Sequence, residues 1–129
     1  MVLDRRLAGI LLHPTSLPGH YGIGDLGGAA YRLLDWMESA GLAYWQVLPL
    51  GPTSFGDSPY QCLSACAGNP LLISPNLLRH DGLLELDEIR PPSFPEDRVD
   101  YGWVIDWKSW LFRLAHERFR RGGFRELEE

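Results

Sequence analysis

The densest group of chemically useful side chains in this 129-residue sequence is Asp57-Ser58-Pro59-Tyr60-Gln61. A carboxylate and a primary amide each offer paired polar atoms, a serine hydroxyl both donates and accepts, and a tyrosine ring offers a flat apolar face. Neutral polyhydroxyl ligands are held by such a set: planar groups grip the hydroxyls while the ring stacks on the sugar's C–H face. Pro59 fixes its own backbone and lowers the entropy lost in presenting Tyr60. Five residues do not separate a sugar loop from an ordinary turn, and both readings stand at this point.

Other candidates carry weaker chemistry. Gly22-Ile23-Gly24-Asp25-Leu26-Gly27 has the G-x-G-x-x-G spacing. A dinucleotide site needs those glycines directly after a strand and an acid at the end of the next strand. Here a proline-bearing loop intervenes and the next strand ends in Leu48-Pro49, so turns leading into a helix cap are expected instead. His13 has no Cys, Asp or Ser partner at a telling distance and reads as structural. Glu85, Asp87 and Glu88 lie in an acidic, proline-rich stretch with nothing apolar to raise one pKa, so a solvated face is expected. Cys62 and Cys66 lack the histidine or second cysteine pair of a zinc site and are expected to be reduced thiols. No metal is expected.

The elements that must position these groups follow from periodicity. Residues 8–13 form a short continuous apolar run, the pattern of a strand buried on both faces. Asp25 is placed to cap a helix over about 27–40, with Ala30, Leu33, Leu34, Met37 and Ala40 as its apolar stripe and Gly41 as its C-terminal stop. Residues 44–48 read as a second strand. Strand, helix and strand make a β-α-β unit with parallel strands and a right-handed crossover. In parallel α/β proteins ligands bind beyond the carboxyl ends of the strands, which is where the long loop 51–69 leaves. Residues 71–73 are a strand or packed chain, and 75–80 a helical turn stopped by Asp81-Gly82. Residues 85–97 read as an exposed connection. A second helix is expected over about 103–121, with Trp103, Trp107, Trp110, Leu111 and Leu114 at helical spacing. Core packing is the ordinary meaning of that stripe, and a sugar platform the alternative.

Composition bounds the remainder. A content of 45% hydrophobic and 22% charged residues is that of an ordinary globular chain and excludes a disordered one. No apolar run approaches the roughly 20 residues of a membrane span. A formal net charge of −5 disfavours nucleic acid as a partner. Arg5-Arg6 before a short apolar run imitates an export signal, but His13-Pro14 ends that run without a cleavage site, and a cytoplasmic protein is expected.

Five motifs then occur in series: Leu11-Leu12-His13-Pro14-Thr15-Ser16-Leu17-Pro18-Gly19; Tyr21 followed by the six residues of the glycine motif; Tyr44-Trp45-Gln46-Val47-Leu48-Pro49-Leu50-Gly51-Pro52-Thr53; Gly56-Asp57-Ser58-Pro59-Tyr60-Gln61; and Ala67-Gly68-Asn69-Pro70. Together they resemble the N-terminal portion of the 4-alpha-glucanotransferase family, the amylomaltases or disproportionating enzymes. The resemblance is strong over residues 7–84. It implies an α/β fold, the N-terminal part of an α-amylase-like TIM (β/α)8 barrel, incomplete as given. It divides residues 1–129 into a first β-α-β unit with a sugar loop (7–84), a connection (85–100) and a Trp-rich helix (101–124).

The resemblance also implies an activity: cleavage of an α-1,4 glucosidic bond and transfer of the glucan to a 4-hydroxyl, with retention through a covalent intermediate. Such chemistry needs two carboxylates roughly 5 Å apart. In the family these lie far downstream, so no catalytic residue is expected within these 129 residues. The chain is expected to be an N-terminal piece, inactive alone. Carried over position by position, Tyr60 matches a tyrosine lining the donor subsites, and Asp57, Ser58 and Gln61 match the loop around it. Phe55 and Tyr101 match aromatic positions of a possible second glucan site. Phe55 stands where the family commonly has tyrosine, which removes a hydroxyl and keeps stacking. The implied partner is a maltodextrin, and no cofactor is needed. The rival reading from another class is a non-catalytic glucan-binding module.

Overall fold

The computed structural model describes residues 6–62, 64 and 66–123. Arg5 lies outside them, as do residues 1–4 and 124–129 of the expected segment boundaries. Strands β1 (Gly9–Leu11) and β2 (Tyr44–Gln46) pair in parallel, with Gly9 opposite Tyr44 and Leu11 opposite Gln46. The ladder is closed by Ala43 N–H donating to Ala8 O at 2.8 Å and Leu12 N–H to Gln46 O at 3.1 Å. Between them runs α1 (Gly28–Ser39), so the β-α-β unit forms as its periodicity demands. Gly41, at φ +68°, ends the helix: its N–H bonds Glu38 O at 3.0 Å and the Leu42 N–H bonds Met37 O at 2.9 Å. That is the paired closure in which glycine takes the left-handed position without a Cβ penalty.

Three expectations for the β-α-β unit need correction. The strands are shorter than the apolar runs and are not buried on both faces: Leu11 is 60% exposed and only the middle residues Ile10 and Trp45 are half-buried. Among the described residues the sheet has two strands and therefore no neighbour on its outer edges. On α1 only Ala30 and Met37 are buried, whereas Leu34 and Ala40 face outward. Asp25 does not cap the first helical turn; its Oδ1 accepts from the Gly27 N–H at 2.9 Å, one residue too early, and Gly27 itself is the cap position.

Residues 70–72 form a 3-10 turn with Leu71 and Leu72 buried, which settles the 71–73 run as packed chain. Helix α2 (Pro75–His80) follows, stopped at Gly82 with φ +74°. Helix α3 (Tyr101–Arg118) starts where Asp100 accepts from the Trp103 N–H at 3.1 Å and continues into a π turn at Phe119–Gly123. Its buried face is Val104, Lys108, Leu111 and Ala115, not the tryptophans. Trp103 and Trp110 are exposed, while Trp107 is half-buried and stacks on Tyr21 with ring centroids 5.6 Å apart.

Two apolar clusters share this helix. One joins Leu83, Leu84 and Ile89 to Leu111 and Ala115; the other joins Ile23 and Leu71 to Val104. The acidic stretch is accordingly not a bare connection. Ile89 is in the core, Phe94 packs beside Val104, and the Arg118 guanidinium bonds both Glu88 oxygens at 2.6 Å. Glu88 thus departs from the solvated face expected of it, because Arg118 holds it against the end of α3. Asp87 keeps to the surface, paired with Arg90 at 2.9 Å.

Candidate ligand-binding site

The parallel pairing puts the carboxyl ends of β1 and β2 side by side, and two side chains lock those ends together. The His13 ring shares a 2.7 Å hydrogen bond between Nδ1 and Thr15 Oγ1, and its Nε2 lies 3.3 Å from Pro49 O. The Trp45 indole N–H donates to Leu12 O at 2.7 Å. His13 thus has the structural role read for it, as a rivet between the segments leaving both strands.

The loop 51–69 starts from this rim. Asn69 closes its base: Nδ2 donates to Gly51 O at 3.4 Å, and Oδ1 accepts from the Leu71 N–H at 3.0 Å. Within the loop, Ser54 Oγ donates to the Gln61 carbonyl, the Gln61 N–H bonds Ser58 O at 3.0 Å, and Cys62 Sγ donates to Pro59 O at 2.9 Å. These bonds engage part of the turn's backbone, and most of its side chains face solvent. Tyr60 is 71% exposed, Asp57 and Gln61 are exposed, and Ser58 is half-buried. Gly56 and Asp57 both adopt positive φ, +71° and +54°. A non-glycine residue held there stores backbone strain, and here it turns the chain sharply just before Ser58.

Asp57, Ser58, Tyr60 and Gln61 share this turn, with the Tyr60 N–H 3.4 Å from Ser58 Oγ. The side chain of Phe55 lies outside what the structure describes. Tyr101 stands apart, half-buried against the Ile23, Leu71 and Val104 cluster. Two grooves among the described residues are not lined by residues 57–61. One, of about 670 Å³, runs between residues 15–24 and 91–99; the other lies over the sheet. The prolines of 91–95 gave no sign in the sequence that they would face the 15–24 segment.

The glycine motif contains no phosphate cradle. A Cβ on Gly24 would land on the Pro14 carbonyl and within 2.7 Å of the Leu17 backbone nitrogen, and one on Gly27 would meet Ser74 and Asp25. These glycines serve close packing of the loop before α1. Asp25, whose carboxyl is raised by burial against the opposing pull of Lys108, faces that lysine rather than open space. Sequence reading missed Lys108 altogether. Its one available signal was its place on the apolar stripe between Val104 and Leu111.

Taken together, the fold and the loop define a parallel α/β unit that carries a polar–aromatic loop at the carboxyl ends of its strands. The comparisons with known proteins make this specific. The model of the 4-alpha-glucanotransferase family, glycoside hydrolase family 77, matches residues 12–129. The chain belongs to that family. It is 52% identical over 121 residues to a 4-alpha-glucanotransferase of Thermus thermophilus, covering 94% of this chain and 23% of the relative. It is 50% identical over 122 residues to one of Synechocystis, covering 92% of this chain and 24% of the relative. Among solved structures, an amylomaltase from Streptococcus agalactiae in complex with acarbose superposes with a TM-score of 0.86 at 41% identity, over 91% of this chain and 24% of that one. The chain thus spans about a quarter of the length of the relatives it matches.

Proposed function

We propose that this chain supplies donor-glucan contacts of a 4-alpha-glucanotransferase. In this reading the β-α-β unit is the first unit of an α-amylase-like TIM (β/α)8 barrel. The observation that carries the reading is the exposed Tyr60 on a hydrogen-bonded turn rooted at the carboxyl ends of two parallel strands. Tyr60 stacks on a glucosyl ring, and Asp57, Ser58 and Gln61 take hydrogen bonds from its hydroxyls. Holding the ring in one orientation converts an encounter into a positioned reaction. The bond is broken and remade by a nucleophilic carboxylate and an acid/base carboxyl outside these residues, through a covalent glucosyl intermediate with retention. Phe55 and Tyr101 are assigned to a second glucan contact. The same reading places the protein in the cytoplasm, where free thiols such as Cys62 and Cys66 persist.

The test joins residues of this chain to the remaining three quarters of the Thermus thermophilus relative, in place of that protein's matching segment. The rebuilt enzyme should disproportionate maltotriose into glucose and longer maltodextrins, and the 129-residue chain alone should not. Tyr60→Ala in the rebuilt enzyme should lower turnover by about a hundredfold, the scale of a misplaced reactant. Unchanged kinetics in that variant would remove the assigned role.

A further inference from the structure

Lys108 is the sequence's only lysine and has no solvent exposure. Its Nζ donates to Leu71 O at 2.6 Å and to Ile73 O at 3.1 Å, with the Asp25 carboxylate 4.0 Å away. Those two carbonyls belong to the segment at the exit of loop 51–69. Two residues before the first of them stands Asn69, whose amide reaches Gly51 at the entrance of the same loop. The same segment is held from the other side by the Leu26 N–H, which donates to Leu72 O at 2.9 Å. The ammonium and the Leu26 N–H therefore hold the exit of the loop between them, and Asn69 ties that exit to its entrance. An apolar side chain of equal length would fill the space yet leave two inward carbonyls without their donor, which loosens the segment locally.

We propose that Lys108 is a positioning residue: its ammonium pins the 71–73 segment and, through Asn69, the base from which Tyr60 projects toward the glucan. This rests on the sugar-loop reading above. Lys108 touches no substrate; it acts through the backbone it holds.

Two variants of α3 separate this from a general loss of stability. Lys108→Met removes the clamp, and Leu111→Ala opens a cavity in the other apolar cluster. Amide hydrogen exchange of the 129-residue chain should rise about tenfold or more within 51–69 in Lys108→Met, with residues 83–89 little changed, and the reverse in Leu111→Ala. In the rebuilt enzyme, Lys108→Met should lower kcat for maltotriose about tenfold with KM within about twofold, whereas Leu111→Ala should lower thermal stability and leave kcat unchanged. Uniform exchange across the chain, or equal kcat in the two variants, overturns the proposal. Should Lys108→Met fail to fold, Asn69→Ala cuts the tie to Gly51 with Lys108 in place, and a loop no looser than wild type then overturns it. Tyr60→Ala keeps the two readings apart. If it is silent, the sugar-loop reading fails whatever Lys108 does; if it is damaging while Lys108→Met and Asn69→Ala match Leu111→Ala, only the clamp fails.

Discussion

Burial drives the two members of the Lys108–Asp25 pair in opposite directions. Desolvation pushes the Lys108 ammonium down to about 8, against the attraction of Asp25, and pushes the Asp25 carboxyl up, against Lys108, the Gly27 N–H and Ser74. A base whose folded pKa lies below its unfolded 10.5 is carried with fewer protons in the native state between those values, so stability rises with pH across that window. The 129-residue chain should gain about 3 kcal/mol of stability from this group between pH 8 and 10.5. Tyr21 sits near the same carboxylate and its phenol is raised by burial, then by Asp25, which opposes the gain above pH 10. Urea midpoints at pH 7, 8, 9 and 10 should therefore climb in wild type and stay flat in Lys108→Met. A flat wild-type profile would contradict the burial of the charge. Because the chain holds a single lysine, its side-chain NMR signal reads the same titration directly. Nothing in the residue type announced this, since lysine on a helix ordinarily faces water. Only its spacing from Val104 and Leu111 placed it inward.

The elements were legible where their signals are local. The span of α1, its stop at Gly41, the helical turn after Ser74 and the parallel partner strands all follow from short-range periodicity and caps. What failed needed tertiary information. The tryptophans of α3 look like its core stripe, yet the helix turns Val104, Lys108, Leu111 and Ala115 inward, because the flanking segments 71–73 and 83–89 meet it on that side. Glu88 looks solvated until the end of α3 brings Arg118 to it, 30 residues away. That guanidinium holds the Glu88 carboxyl below its usual range. A depressed acid contributes stability above its unfolded pKa and loses it as pH falls through the folded one. Glu88→Gln should lower the urea midpoint at pH 7 and shrink the difference between pH 7 and pH 3. An unaltered acid limb would assign that sensitivity to other carboxylates. The glycine motif offers a second test at this scale. Gly41→Ala meets open space and should cost about 1 kcal/mol for its backbone conformation alone. Gly24→Ala must displace the 14–17 backbone and should cost about 2 kcal/mol or more, read from the same unfolding curves. Equal costs would mean that the loop before α1 yields freely.

At the scale of the whole molecule, helix α3 is the spine. It joins the loop before α1, the exit of loop 51–69 and the 83–89 segment into one packed body, while the two-stranded sheet stands largely outside that body. Large apolar side chains are exposed on both parts: Leu11 at 60%, Tyr31 at 58% and Trp36 at 54% on the β-α-β unit, and Leu86 at 59% and Trp110 at 48% on the part packed on α3. Among the described residues each strand also has an unpaired edge, whose free N–H and C=O groups template pairing with other chains. Both features favour association, and on the β-α-β unit they coincide. The 129-residue chain should therefore self-associate with rising concentration, seen by sedimentation velocity, and bind an apolar dye more strongly than the rebuilt enzyme does. Leu11→Lys places a charge on the open strand and should shift that association to higher concentration. Trp110→Ala, on the exposed side of α3, should not. A chain that stays monomeric at millimolar concentration, or one whose association is relieved equally by both substitutions, would show that the sheet is not the adhesive surface.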